Sequence, residues 1–314
     1  VGDVAGAMEA YLAVLEVAPA HPESLAALER LYTAEEKWSE LIEVHERRIA
    51  AAEEPAEAIA LLTRIAGIRE ERFGDAEAAS ATLIRALEID PDHLPAVIRL
   101  EQIWREAGAH ERLADALERH VELVERPEEA SALLLELAEL ASVELGDPDR
   151  AERALLEALE AEPRNRAAVR ALADLHEQRG NWFNALETLA REVQLVGADA
   201  EAADLHFRMG KIDEEMLGEA DAAKAAYERA LEMNPGHGPA LRALRQIREA
   251  EGGYEEVVAL EAREAEHTGD LEERARLYHH AASTALDRFD DVPKAIQLLE
   301  RALDADPAHL PSLE

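Results

Sequence analysis

The amino-acid sequence predicts an all-α solenoid of antiparallel helix hairpins. Ala, Leu, Glu and Arg dominate the composition and favour helices, and Val and Ile never cluster into strand-like runs. A short phrase of the type RALEIDPDH recurs along the chain, each time 72 residues further on. Because stacked repeats grow as one continuous array, this period indicates a solenoid rather than separate domains. The recurring prolines are Pro19, Pro91, Pro163, Pro235 and Pro307.

The first helix of the reference period, residues 53–124, carries apolar residues at the i, i+3, i+4 spacing of one helical face. Gly74 ends this helix, because glycine adopts the left-handed conformation at low cost. Asp75 follows as the N-cap of the second helix. We therefore expect a tight turn between the two helices of a hairpin. The apolar stripe of the first helix consists of Ile59, Leu61, Leu62, Ile65, Ala66, Ile68 and Phe73.

The other three helices of the period follow in the same way. The second helix presents Ala79, Leu83 and Ala86 on one face and ends before Pro91, which cannot continue a helix. The third helix ends at Gly108, and the fourth completes the period. The apolar residues of these last two helices are Val97, Leu100, Ile103 and Trp104 in the third, and Leu113, Leu117, Val121 and Val124 in the fourth.

One period therefore contains four helices, in two hairpins of about 34 and 38 residues, the length of paired-helix repeats. A single hairpin cannot bury its own apolar face, so the next hairpin must cover it. We expect about 17 helices in one solenoid over residues 1–314, a piece of a longer array or multidomain protein. The predicted repeats are 2–52 (partial), 53–124, 125–196, 197–268 and 269–314 (partial).

The charge of the chain limits its partners. A formal net charge of −36 argues against nucleic acids and anionic membranes, both of which attract basic surfaces. It permits basic partners and keeps an extended array soluble. The absence of cysteine excludes disulfides and thiolate sites, and no run of 18 apolar residues predicts a membrane span.

The segment GDAEAASATLIRALEIDP resembles the second half of a tetratricopeptide repeat, which places Gly, Ala, an aromatic residue or Leu, Ala and Pro at set offsets. The first helix of each strong copy departs from the family pattern by about one extra residue before the glycine. The resemblance implies a right-handed superhelix whose first helices line a concave groove, and a role in binding and scaffolding rather than chemistry. The matching residues are Gly74, Ala79, Leu83, Ala86 and Pro91, then Gly146, Ala151, Leu155, Ala158 and Pro163, then Gly218, Ala223, Tyr227, Ala230 and Pro235, and last Asp290 (in place of Gly), Ala295, Leu299, Ala302 and Pro307.

The sequence offers little to catalysis. The histidines that follow the repeat prolines, such as His93, are explained as turn residues near a helix N-terminus. The adjacent His279 and His280 point about 100° apart on a helix and cannot chelate together. The many carboxylates are interpreted as solvated helix faces. We expect no enzyme activity, no metal and no cofactor, since no phosphate loop, nucleophile motif or metal-ligand spacing occurs.

One face of the first helices changes freely between copies while the core columns stay constant. On this face the middle copies carry surplus apolar residues, which predict an interaction site in the groove, although closer burial by neighbouring helices would also explain them. A ring also recurs at the start of the fourth helix, as Trp38, His110, Trp182 and Tyr254, which favours packing between helices over binding. The predicted partner-binding residues are Leu135, Glu139, Val143, Phe207 and Lys211.

These observations predict a protein–protein interaction scaffold that binds a partner segment with apolar anchors and basic flanks. The alternatives are a regulatory or sensor module of a larger protein such as a protein kinase, or a cell-envelope assembly factor. The composition favours a bacterial source. The compartment stays open, with the cytoplasm slightly favoured over the periplasm. Apolar residues at both ends predict that the ends associate end to end or are buried on neighbouring sequence: Val4, Met8, Leu12, Leu310 and Leu313.

Overall fold

A computed structural model describes residues 3–197 and 200–312. Within these residues the chain forms 17 α-helices and no strands, which confirms the all-α solenoid. Leu313, named above among the apolar end residues, lies outside the described residues. The helices are α1 (Val4–Val17), α2 (Pro22–Ala34), α3 (Trp38–Ala51), α4 (Pro55–Phe73), α5 (Ala76–Ile89), α6 (Leu94–Glu106), α7 (His110–Leu123), α8 (Pro127–Leu140), α9 (Pro148–Ala161), α10 (Arg166–Gln178), α11 (Trp182–Val196), α12 (Ala200–Lys211), α13 (Ala220–Met233), α14 (Gly238–Glu251), α15 (Tyr254–His267), α16 (Leu271–Phe289) and α17 (Val292–Ala305).

The 72-residue period is visible in the helix boundaries. Helices α5, α9, α13 and α17 begin at Ala76, Pro148, Ala220 and Val292 and are each 14 residues long. The ring residues predicted at the start of the fourth helix are the first residues of α3, α7, α11 and α15. Because caps and turns are set by local sequence, identical spacing produces identical helix boundaries.

Two compact units divide the chain, at 1–163 (unit 1, α1–α9) and 164–314 (unit 2, α10–α17). Within each unit a helix packs mainly against the helices before and after it in the chain, as in a repeat array. The prediction that both units belong to one right-handed solenoid with a continuous concave groove stays a prediction.

The repeat columns form the core, with one exception. Ala79, Leu83 and Ala86 are fully buried, as the small-residue pattern predicts. Phe73, predicted on the apolar stripe, is instead 50% exposed as the last residue of α4. Gly74 ends that helix in the left-handed conformation, and Asp290 adopts the same conformation in the last copy (φ 52°).

Three of the histidines after the repeat prolines, His21, His93 and His237, are N-cap residues, as predicted for positions near helix N-termini. The imidazoles of His21 and His237 cap their helices, whereas the side chain of His93 makes no capping hydrogen bond. The Nδ1 atom of His21 accepts a hydrogen bond from the backbone N–H of Ser24, and that of His237 accepts one from Ala240 (3.1 Å). In the second full copy Asn165 takes this place and its side chain accepts from the N–H of Ala168. An imidazole thus replaces the usual oxygen acceptor at these N-caps.

The apolar ends differ from expectation in one respect. Met8 is buried against Leu15 and Leu25 and is therefore not a free surface. Leu12 and Leu310 are exposed. End-to-end association stays a prediction.

Candidate protein-interaction site

The predicted site residues are divided between the two units. Leu135, Glu139 and Val143 belong to unit 1, whereas Phe207 and Lys211 belong to unit 2. Each set is considered within its own unit.

In unit 1, Leu135 is half-buried on α8 and Glu139 is exposed. The last turn of this helix, Ala141–Leu145, is π-helical, so the α-helical spacing that grouped Val143 with Leu135 ends before residue 143. Val143 is 70% exposed in this turn. The sequence argument for one continuous face therefore fails at Val143, although the side chain is fully available to a partner.

In unit 2, Phe207 and Lys211 line the same cleft, which has a volume of about 350 Å³. The cleft lies between α10, the start of α11, and α12 with the π-helical turn Ile212–Leu217 that extends it. Its surface is mainly apolar, with charged groups at the edge. The lining residues are Glu177, Trp182, Phe207, Arg208, Lys211, Ile212, Glu215 and Met216.

Phe207 forms part of the cleft floor, and two other rings pack against its own. Its ring lies 5.6 Å from the ring of Tyr227 and 5.2 Å from that of His237, measured between centroids. The side chain is therefore half-buried, and it is not surplus to the core as the helical stripe predicted. His237 is itself fixed, because its Nε2 lies 2.9 Å from a carboxylate oxygen of Asp204.

A glycine makes room for the fully buried Tyr227. A Cβ atom at Gly210 would lie only 2.5 Å from the ring of Tyr227. The hydroxyl of Tyr227 donates a hydrogen bond of 2.6 Å to Glu214, in the π-helical turn. Burial and this carboxylate raise the pKa of Tyr227, so the hydroxyl keeps its proton and ties the turn to α13. Gly210, Tyr227 and Glu214 thus shape the helix that carries Phe207.

The edge of the cleft consists of ion pairs. The guanidinium of Arg208 lies 2.6 Å from the carboxylate of Glu177, and the ammonium of Lys211 lies 2.9 Å from that of Glu215. Opposite charges therefore balance around an apolar floor, which is the usual anatomy of a binding pocket.

Phe183, which follows Trp182 at the start of α11, was not predicted and is 76% exposed. The sequence does carry a signal for it. The same position in the other repeats holds Ser39, Glu111 and Glu255, so an aromatic residue breaks a polar column.

Comparison with known proteins identifies the repeats. The family model of the tetratricopeptide repeat matches residues 24–76 and residues 203–237, and the second match contains the cleft residues from Phe207 to Met216. The chain contains tetratricopeptide repeats. Repeats of this family generally act as non-catalytic scaffolds for protein–protein interaction.

Several solved structures are similar to this tetratricopeptide-repeat protein. YrrB, a TPR protein with an unusual peptide-binding site, shares 20% identity over 64% of this chain and 97% of that chain, with a TM-score of 0.38. MamA shares 21% over 56% and 92%, with a TM-score of 0.38. The C-terminal part of a TPR repeat-containing protein from Cytophaga hutchinsonii shares 12% over 80% and 98%, with a TM-score of 0.44. Among proteins with curated descriptions, no sequence is significantly similar to this chain.

The interpretation of all carboxylates in this tetratricopeptide-repeat protein as solvated is wrong for some of them. Glu101 on α6 is buried, and its carboxylate lies 2.8 Å from Nδ1 of the equally buried His120 on α7. Burial raises the pKa of Glu101, and the neighbouring imidazole opposes that rise. Such pairs join the two helices of a hairpin, and the helical stripe alone does not reveal them.

A second, larger cleft of about 680 Å³ lies at the end of unit 2, between α14, α15, α16 and the short 3₁₀ turn Leu310–Ser312. His279 faces His309 at 5.5 Å between ring centroids, and His280 lies 2.6 Å from the buried Glu261. Burial lowers the pKa of His279 and raises that of Glu261. The adjacent histidines thus point to different partners. Within residues 3–197 and 200–312, no three His, Asp or Glu residues converge as metal ligands, and no helix has the length and hydropathy of a membrane span.

Proposed function

We propose that this tetratricopeptide-repeat protein is a non-catalytic scaffold that binds a segment of a partner protein in the cleft of unit 2. The observation that carries the proposal is the exposed apolar floor between Trp182 and Phe207, with ion pairs at its edge. Apolar floors with polar edges are where interface energy concentrates, because a partner side chain is desolvated there.

The repeats supply a comparison for this cleft. At the position of Phe207 the first full copy has Thr63 and the last copy has His279. At the position of Met216 the same two copies have Arg72 and Arg288. The copy that contains Phe207 and Met216 thus carries two large apolar side chains where the first and last copies are polar or charged. The remaining copy has an apolar residue only at the first of these positions, where Leu135 stands, and has Glu144 at the second. Met216 is 49% exposed, so much of this apolar side chain is available for contact with a partner.

The partner segment should present apolar anchors flanked by basic residues, since the scaffold carries a net charge of −36. Charge complementarity of this kind speeds association and disfavours acidic partners such as nucleic acids. Val143 is proposed as a further contact in unit 1, and so are Leu135 and Glu139 on α8.

The test is a random peptide-display library selected on the wild-type protein, followed by affinity measurements on variants. Met216→Arg places a long charged side chain in the cleft. This substitution should lower the affinity for the selected peptides by about tenfold or more, equivalent to ~1.4 kcal/mol. Glu144→Arg is the matched control, because Glu144 holds the same repeat position in unit 1 and does not line the cleft.

Selected peptides that bind Met216→Arg as tightly as wild type would contradict the proposed cleft. Val143→Arg tests the unit 1 contact separately, because this exposed side chain can be changed without disturbing a core.

A further inference from the structure

Each ring at the start of the fourth helix faces a residue 34 positions later, in the last turn of the next first helix. In unit 1 the guanidinium of Arg72 lies 4.6 Å from the ring centroid of Trp38. In unit 2 the guanidinium of Arg288 lies 4.0 Å from that of Tyr254. Two copies therefore stack an arginine of their own on this ring, which is a cation–π contact.

The other two copies differ in an ordered way. Where the ring is His110, the facing residue is Glu144, with 3.2 Å between the imidazole nitrogen and the carboxylate oxygen. Where the ring is Trp182, the facing residue is Met216, which has no charge. Trp182 and Trp38 have the ring type that binds cations best, and Trp182 is the one of the two that lines the cleft of about 350 Å³.

We propose that the cleft of unit 2 binds an arginine side chain of the partner, with its guanidinium over the ring of Trp182. This inference rests on the proposed function and names the anchor that the cleft selects. The incoming guanidinium takes the contact that Arg72 and Arg288 make within the chain in their own repeats. The aliphatic stem of the arginine packs on Phe207 and Met216, as long cationic side chains do on apolar surfaces.

The charges of the cleft are compatible with this ligand. Glu177 and Glu215 can both accept hydrogen bonds from a guanidinium, whose planar fork suits carboxylates better than an ammonium does. Arg208 and Lys211 compete for these carboxylates. Lys211 is the more exposed competitor, so its removal frees Glu215 for the partner.

This competition gives the test a distinctive sign. Lys211→Ala should raise the affinity of the cleft for an arginine ligand, whereas it should lower the affinity for an acidic ligand. Met216→Arg should supply the intramolecular arginine that the first and last copies have and so exclude the ligand. The indole N–H signal of Trp182, assigned by its loss in Trp182→Phe, reports binding directly in heteronuclear NMR spectra of the full chain.

The probes are short capped Gly-Ser peptides with one central residue: arginine, its uncharged analogue citrulline, leucine or glutamate. We expect the arginine peptide to shift the Trp182 signal, with an affinity about fivefold above that of the citrulline peptide, in the range of a cation–π contact. Lys211→Ala should raise that affinity by about two- to fivefold. Met216→Arg should abolish the shift, and Glu144→Arg in unit 1 should leave it unchanged.

Equal binding of the arginine and citrulline peptides would overturn the inference, as would weaker arginine binding by Lys211→Ala. If the leucine peptide shifts Trp182 and the arginine peptide does not, the cleft binds an apolar anchor: the proposed function stands and the arginine inference falls. No shift with any peptide up to about 10 mM also overturns the arginine inference. The display experiment then decides the proposed function separately.

Discussion

Gly210→Ala should destabilise this protein, although alanine is normally the better helix residue. Gly210 lies within α12, and an added Cβ would approach three ring atoms of Tyr227, at 2.5, 2.7 and 3.0 Å. The ring cannot withdraw easily, because it is fully buried and its hydroxyl is bonded to Glu214. The clash therefore involves a rigid group in a packed core.

Two opposing contributions determine how much Gly210→Ala changes the free energy of unfolding. Replacing glycine by alanine inside a helix gains about 0.5–1 kcal/mol. Overpacking a well-packed core costs about 1–3 kcal/mol, and a contact of 2.5 Å with a fixed ring belongs in the upper part of that range. We expect Gly210→Ala to lose about 1–2 kcal/mol of unfolding free energy in total.

The chain itself supplies the compensating substitution. Where the other copies have alanine at the position of Gly210, they have leucine at the position of Tyr227: Ala66 with Leu83, Ala138 with Leu155, and Ala282 with Leu299. Tyr227→Leu alone should cost about 1–3 kcal/mol, through lost volume and an unpaired Glu214. The double variant should recover about 1–2 kcal/mol relative to the sum of the single changes.

The assay is urea unfolding followed by circular dichroism, with the midpoint of each transition compared, because repeat arrays can unfold in steps. Gly210→Ala with wild-type or higher stability would refute the steric argument. Strict additivity in the double variant would show that Gly210 and Tyr227 are not coupled, even if both single variants are weakened.

Three further substitutions test smaller features of the fold. His45→Leu should stabilise the protein, and the gain should be larger at about pH 5 than at about pH 8. Burial lowers the pKa of His45 in the folded protein. The wild-type protein therefore loses unfolding free energy as the pH falls through that lowered pKa, and leucine removes this loss. A gain independent of pH would contradict this. Asp290→Gly should raise the thermal midpoint and add up to about 1 kcal/mol, since Asp290 is held in the left-handed conformation; a lower midpoint would mean that chain entropy dominates. Arg72→Ala should cost about 0.5–1 kcal/mol in urea unfolding, and no further loss is expected from it in a Trp38→Leu background.

Local features of this fold could be predicted from the sequence, because each is decided by a few neighbouring residues. Gly74 and Asp75 define the end of one helix and the start of the next, and the structure places both as expected. The period of Pro91 and its equivalents gives the helix boundaries for the same reason. A π-helical last turn was not expected, although the extra residue before the glycine is consistent with one. That turn removed Val143 from the predicted face.

Contacts between helices could be predicted only in part. Lys211 and Phe207 were singled out because their column varies, and they do line the same cleft. The burial of Phe207 was missed, because it depends on Tyr227 and His237 in other elements. No helical stripe contains that information. A comparison of columns 34 residues apart would have found the arginine–ring pairs and the exception at Met216.

Substitution between the repeats is partly constrained in pairs, and this constraint separates packing from binding. In three copies a pair of polar residues links the third and fourth helices of a period, and the pair changes its chemistry while complementary partners are kept. In the remaining copy Ala173 replaces the first partner, and the buried Glu192 lies 3.6 Å from Arg166 instead. A buried charge left alone costs several kcal/mol, so one partner can be lost only where another cation takes its place. In the last copy the two charges have exchanged places. The pairs are Glu29 with Arg48 at 2.5 Å, Glu101 with His120 at 2.8 Å, and Arg245 with Glu264 at 3.4 Å.

Positions that change without such compensation have a different meaning. Met216 stands where the first and last copies have arginine. The ring of Trp182 therefore faces an uncharged side chain, whereas the equivalent rings in the other copies contact a charged group. Phe183 likewise replaces a polar residue and remains exposed. Neither change adds a buried side chain to the core, because Met216 is half-exposed and Phe183 is 76% exposed. An apolar gain that packing does not use is best explained by a contact outside the chain, and both residues lie at or beside the cleft in which we propose the partner's arginine to bind.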